Sequence, residues 1–76
     1  MYTMISKHNC PWCDKAVDHI ENILGETVKV SYYEDSLALK LLLIKSGLTT
    51  VPQIWKDKEY IGGYQELVRT TYPVSV

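Results

Sequence analysis

The sequence predicts an α/β fold in the order βαβαββα, and three observations carry it. Short runs rich in β-formers alternate with runs whose apolar residues recur at helical spacing. Gly25, Gly47 and Gly62-Gly63 stand where those runs stop. Two strand-like runs, Gln53-Ile54-Trp55-Lys56 and Glu59-Tyr60-Ile61, are separated only by Asp57-Lys58, the spacing of a β-hairpin without the usual turn glycine.

Each element follows in order. Tyr2 to Ser6 reads as a strand that stops at the polar loop Lys7-His8-Asn9. A helix begins at Cys10, with Pro11 in the first helical position, where a missing N–H costs nothing and the fixed φ already suits a helix. Its apolar face is Ala16, Val17, Ile20, Ile23 and Leu24; His19 is expected near the solvent side, and Gly25 ends the helix. Val28, Val30 and Tyr32 alternate with Lys29, Ser31 and Tyr33, giving a second strand. A helical crossover between two strands implies that they are parallel neighbours with a right-handed connection. Glu34-Asp35 reads as a helix-start signal, and Asp35 or Ser36 caps a second helix through Leu37, Leu41 and Ile44 up to Gly47. That helix is apolar nearly all round, so it is expected to be buried. Tyr64, Leu67, Val68 and Thr71 outline a short last helix ended by Pro73. Tyr2, Tyr32, Tyr33, Tyr60 and Trp55 are expected to supply packing in a chain without phenylalanine.

Composition sets the bounds. Seventy-six residues, read here as one domain over 1–76, bury little more than about 60% of their unfolded surface. The formal charge of −1, with both signs interspersed, offers no basic stripe for nucleic acid. The most apolar run, Leu37 to Ile44, is broken by Lys40 and falls far short of the roughly 20 residues a membrane helix needs. Both cysteines lie in one close pair, which staples nothing distant and fits a reducing compartment. Tyr2-Thr3-Met4-Ile5 lacks the character of a signal peptide. A cytoplasmic monomer is the expectation.

The chemistry sits in Cys10-Pro11-Trp12-Cys13. Two thiols three residues apart on the first helical turn can make and break a disulfide. The unpaired N–H groups and positive dipole end of the helix favour the thiolate of Cys10 over the thiol. Asp14, close to both sulfurs, opposes it by like-charge repulsion. His8 is read as a surface or substrate-contact residue, because a pre-ionised thiolate needs no base. A zinc module built from the cysteine pair with His8 and His19 is the reading from another class. The spacing argues against it, since neither histidine belongs to a second pair at a distance.

Three separated motifs coincide: Lys7 three residues ahead of Cys10-Pro11-Trp12-Cys13, then Thr50-Val51-Pro52-Gln53-Ile54, then Gly62-Gly63-Tyr64-Gln65-Glu66-Leu67. Together they resemble a dithiol glutaredoxin, of the compact type found in bacteria and their phages. The resemblance implies a minimal thioredoxin fold, a four-stranded mixed sheet with helices on both faces. It also implies a cis peptide between Val51 and Pro52, which X-Pro bonds carry far more readily than others. By the same resemblance Cys10 attacks and Cys13 resolves, and no cofactor or metal is bound. Glutathione is then the reducing co-substrate, held by Lys7, Trp12, Val51, Pro52, Gly63, Tyr64 and Gln65. The N–H groups opening the last helix suit its γ-glutamyl carboxylate. Gln65 stands where many members carry an aspartate for the γ-glutamyl amine, and Glu66 is expected to point elsewhere. Partners implied are disulfide-containing proteins, ribonucleotide reductase among them. Reduction by thioredoxin reductase is the alternative that Gln65 keeps open. An iron–sulfur carrier is a further one, which Pro11 counts against.

Overall fold

The computed structural model describes residues 1–71. Its elements are β1 (Tyr2–Ser6), α1 (Pro11–Asp18), β2 (Val28–Tyr32), α2 (Leu37–Lys45), β3 (Gln53–Lys56), β4 (Glu59–Gly62) and α3 (Tyr64–Thr71). The order is the expected βαβαββα. Pro73, expected to end the last helix, lies outside the described residues.

The strands form one mixed sheet in the order β2-β1-β3-β4. β1 runs parallel to β2, with Tyr2 opposite Val28 and Met4 opposite Val30, as a βαβ crossover requires. β3 lies antiparallel to both β1 and β4. At the hairpin turn Asp57 adopts φ 54°, the left-handed conformation that a glycine would otherwise supply. Strand alternation sends Tyr2, Met4 and Ile54 to one face, where they meet Ala16 and Ile20 below α1 and Leu67 from α3. Both cysteines belong to this cluster, so the redox pair is seated on the core.

Two expectations change. The first helix does not run regularly to Gly25: after Asp18 it widens into a π turn over His19–Ile23, with the Leu24 N–H donating to the His19 carbonyl at 3.0 Å. The extra residue in that turn rotates the later side chains. His19 goes to the interior at 2% exposure, with Nε2 2.8 Å from the Thr71 hydroxyl, and Ile23 is turned out at 52%. Gly25 still closes the segment with φ 67°.

The second change concerns α2. Ser36 caps it, its hydroxyl accepting from the Leu39 N–H, and Gly47 follows at φ 73° as expected. The helix is not buried, however. Leu43 is its buried residue and Leu39, one turn earlier, is half-buried, while Leu37, Leu41, Leu42 and Ile44 are exposed. α2 packs chiefly on the 3-10 turn that precedes it and meets the strands only lightly, so apolar residues spread all round the cylinder are left largely in solvent. Glu34 and Asp35 sit in a 3-10 turn ahead of this cap, and their carboxylates turn back toward the loop before α1.

Candidate active site

Cys10 is the N-cap of α1, with extended backbone at φ −116° and ψ 102° and Pro11 next in the first helical position. Its carbonyl accepts the first intrahelical bond from the Asp14 N–H at 3.1 Å. Its sulfur accepts from the Cys13 N–H at 3.2 Å, the place an N-cap hydroxyl or carboxylate usually takes. Cys10 and Cys13 are joined as a disulfide with their Cα atoms 5.2 Å apart. Both are buried, at 5% and 3% exposure. Reduced, Cys10 would therefore carry a sulfur aimed at an N–H donor and at the positive end of the helix, the arrangement that stabilises a thiolate.

The loop ahead of Cys10 is held by the end of β2 and the 3-10 turn that follows it. The His8 N–H donates to Glu34, the His8 ring lies 3.0 Å from the Asp35 carboxylate, and it stacks on Tyr32 with 4.1 Å between ring centres. Asn9 then turns the chain into the helix with φ 56°, a conformation asparagine tolerates better than most residues.

Beside the pair lies a groove of about 300 Å³ lined by Trp12, Thr50, Val51, Pro52, Gly63, Tyr64, Gln65 and Glu66. The Val51–Pro52 peptide is cis, as the resemblance implied. Val51 packs on the cluster that contains both cysteines. Trp12 forms one wall at 51% exposure, its ring 5.7 Å from that of Tyr64 and covered by the Lys15 ammonium at 4.6 Å. Buried Gln53 fixes the other wall: its amide donates to the Thr50 carbonyl at 2.8 Å and its oxygen accepts from the Tyr60 hydroxyl.

Six of the expected groove residues, Trp12, Val51, Pro52, Gly63, Tyr64 and Gln65, thus come together. Lys7 does not join them; it lines a separate, smaller hollow with Cys13 and Asp14. Glu66 does join them, contrary to expectation. Its carboxylate reaches back to accept from the Gly63 N–H at 2.9 Å, closing the start of α3 as the fourth residue of a capping box does. The helical rotation that seemed to point Glu66 away is outweighed by that N-terminal bond. One of the N–H groups at the start of α3, that of Gly63, is consequently engaged within the chain itself. The spacing Gly63 to Glu66 was the available signal for this contact, as was Thr50-x-x-Gln53 for the second wall. Nothing in the local sequence signalled the tie between His8 and Glu34-Asp35, which spans 26 and 27 positions.

A glutaredoxin family model matches residues 2–61. The chain belongs to the glutaredoxin family. It is 33% identical over 69 residues to glutaredoxin 1 of Rickettsia prowazekii, covering 88% of this chain and 70% of that protein. With glutaredoxin 3 of Escherichia coli K12 the identity is 37% over 67 residues, covering 82% and 75%. Among the rickettsial relatives the chain spans between 64% and 70% of their lengths. Two solved glutaredoxins share the fold at 22% identity. Oxidised glutaredoxin 2 from Chlamydomonas reinhardtii superposes with a TM-score of 0.69 over 91% of this chain and 68% of that one. Glutaredoxin from Brucella melitensis gives 0.70 over 90% and 74%. The family and the disulfide at Cys10-Cys13 make this glutaredoxin a thiol–disulfide oxidoreductase. No helix among the described residues is long and apolar enough to cross a membrane.

Proposed function

We propose that this glutaredoxin reduces protein disulfides and glutathione mixed disulfides, with Cys10 as the attacking sulfur, Cys13 as the resolving one, and glutathione as reductant. The Cys10 thiolate attacks one sulfur of the substrate disulfide; that S–S bond breaks, the leaving sulfur takes up a proton, and Cys10 is left in a mixed disulfide. Cys13 loses its proton and attacks the Cys10 sulfur, releasing the second substrate thiol and forming Cys10–Cys13. Two glutathione thiols then restore the dithiol and leave as one oxidised glutathione, so two electrons pass in each half.

The observation that carries this reading is the Cys10 sulfur placed at a helix N-cap with the Cys13 N–H on it, two residues before the Trp12 that lines a groove with Pro52 and Tyr64. The groove suits an extended tripeptide laid along the main chain at Val51. Lys7, from its own hollow near Cys13, favours thiolate charge and attracts an anionic ligand. The working setting is a reducing cytoplasm, and disulfide-bearing enzymes such as ribonucleotide reductase are the substrates in view.

One observation favours a second reading, reduction by thioredoxin reductase. The charged residue lining the groove is Glu66, which already holds the Gly63 N–H and opposes an incoming carboxylate. Following NADPH loss separates the two: supplied either with glutathione plus glutathione reductase or with thioredoxin reductase alone, the protein is expected to turn over a small disulfide in the first mixture. Turnover confined to the second would transfer the assignment to the other reductant.

Replacement of the two cysteines separates their roles. Cys10→Ser should abolish exchange with every substrate, whereas Cys13→Ser should lose protein-disulfide reduction and keep deglutathionylation, assayed on a glutathionylated peptide. Activity of Cys10→Ser equal to that of the parent protein would remove Cys10 from the mechanism.

A further inference from the structure

The loop between β1 and α1 is tied down by a side chain from the turn after β2. The parallel ladder of β1 and β2 ends with Ser6 opposite Tyr32. Beyond it two main-chain groups find side chains instead of a strand. The Lys7 carbonyl accepts from the Ser6 hydroxyl at 3.2 Å, and the His8 N–H donates to the Glu34 carboxylate. The His8 ring is held separately, by Asp35 and Tyr32. From that anchored peptide the chain reaches Cys10 in two residues, through Asn9 in the left-handed region at φ 56°.

The anchor matters because the sulfur of Cys10 depends on its placement. It accepts the Cys13 N–H at 3.2 Å from an N-cap residue with extended backbone at φ −116° and ψ 102°. Pro11 fixes the chain on the helix side of that cap, so the direction of entry is set at His8 and Asn9. Stabilisation of a thiolate by a helix end falls off within one turn, and a small rotation at the cap forfeits part of it. Glu34 and His8 are both exposed, so a change at either leaves the core cluster untouched.

We propose that Glu34 is a positioning residue for disulfide exchange: by accepting the His8 N–H it fixes the peptide ahead of the N-cap and so holds the Cys10 sulfur where the helix stabilises its thiolate. The proposal rests on Cys10 as the attacking sulfur. Charge alone works in the opposite sense. Glu34, Asp35 and Asp14 all oppose a thiolate, while Lys7 and a protonated His8 favour it. Loss of the Glu34 charge with the loop still in place makes Cys10 more reactive, whereas loss of the anchor makes it less so. The two effects of one carboxylate are therefore separable by sign.

Alkylation of Cys10 by iodoacetamide, followed across a pH series in the reduced full chain, tests this with two variants that remove the same charge. Glu34→Ala loses the acceptor; at the acid end of the series it should react about two- to fivefold more slowly than the parent, with its inflection moved to higher pH. Glu34→Gln keeps an acceptor oxygen and should react at the parent rate or faster. Thermal denaturation should show both variants folded at the assay temperature. Equal rates in all three proteins, or a faster Glu34→Ala, would overturn the proposal, as would equal slowing of both variants. A Glu34→Ala protein unfolded at the assay temperature would overturn it too, since Glu34 would then hold the fold and not the sulfur. Earlier reaction of Cys13 than of Cys10 in the parent protein would instead overturn the reading of Cys10, and the proposal with it.

Discussion

At Cys10 the sulfur that caps α1 is, in the proposed mechanism, also the one that attacks the substrate disulfide. The residues around it divide the work of holding it in place. His8 ties the preceding loop to Glu34, Asp35 and Tyr32, and Gln53 ties the cis-proline turn to β3 and β4. The His8–Asp35 pair is half or more exposed on each side, at 50% and 63%, which limits what it adds. His8→Ala should therefore cost about 1 kcal/mol or less, a fall in Tm of no more than roughly 4–8 °C by thermal denaturation. A fall several times larger would mean that the loop depends on His8 for folding as a whole.

At the scale of elements, the start of α3 decides the shape of the groove. Gly62 adopts φ 122°, and a Cβ there would lie 3.0 Å from Cβ and Cγ of Glu66. Gly62→Ala should cost on the order of 1–3 kcal/mol in urea unfolding, from backbone strain and displacement of the cap together. Wild-type stability in that variant would contradict the conformation assigned to Gly62. Local rules made most of the fold legible in the sequence: Pro11 at a helix start, Gly47 past a helix end, alternation in β2, and a two-residue loop in the hairpin. They failed where a neighbour decided. The π turn at His19–Ile23, which turns Ile23 outward, and the contact of buried His19 with Thr71, 52 residues away, have no local signal. An apolar run such as Leu37–Ile44 reads as buried, but burial depends on how much partner surface the rest of the chain supplies. In the site, the thiol pair is legible because its chemistry is local, and the cis-proline turn because the resemblance implies it. Lys7 is expected in the groove from the resemblance, whereas the structure puts it in a separate hollow with Cys13 and Asp14.

For the molecule as a whole, core and redox site are one cluster, so the chemistry depends on the packing that holds β1 and β3 together. Tyr2 belongs to that cluster, and burial pushes its phenol above the usual 10.0, with Lys56 partly opposing the shift. The folded protein therefore favours the neutral phenol more than the unfolded chain does. Its contribution to stability is complete below pH 10.0 and is lost as the pH rises through the higher folded value. Chemical denaturation across this alkaline range should show Tyr2→Phe losing less stability with rising pH than the parent protein; parallel loss in both would exclude Tyr2 as a source.

The central claim is that Cys10, and not Cys13, is the sulfur the fold ionises. Alkylating the reduced protein with iodoacetamide across a pH series and assigning each adduct by mass spectrometry tests it directly. Cys10 should react first, at a pH below the ordinary thiol range of about 8.5, with Cys13 following only at higher pH. Equal reaction of both sulfurs near that ordinary value, or earlier reaction of Cys13, would contradict the account.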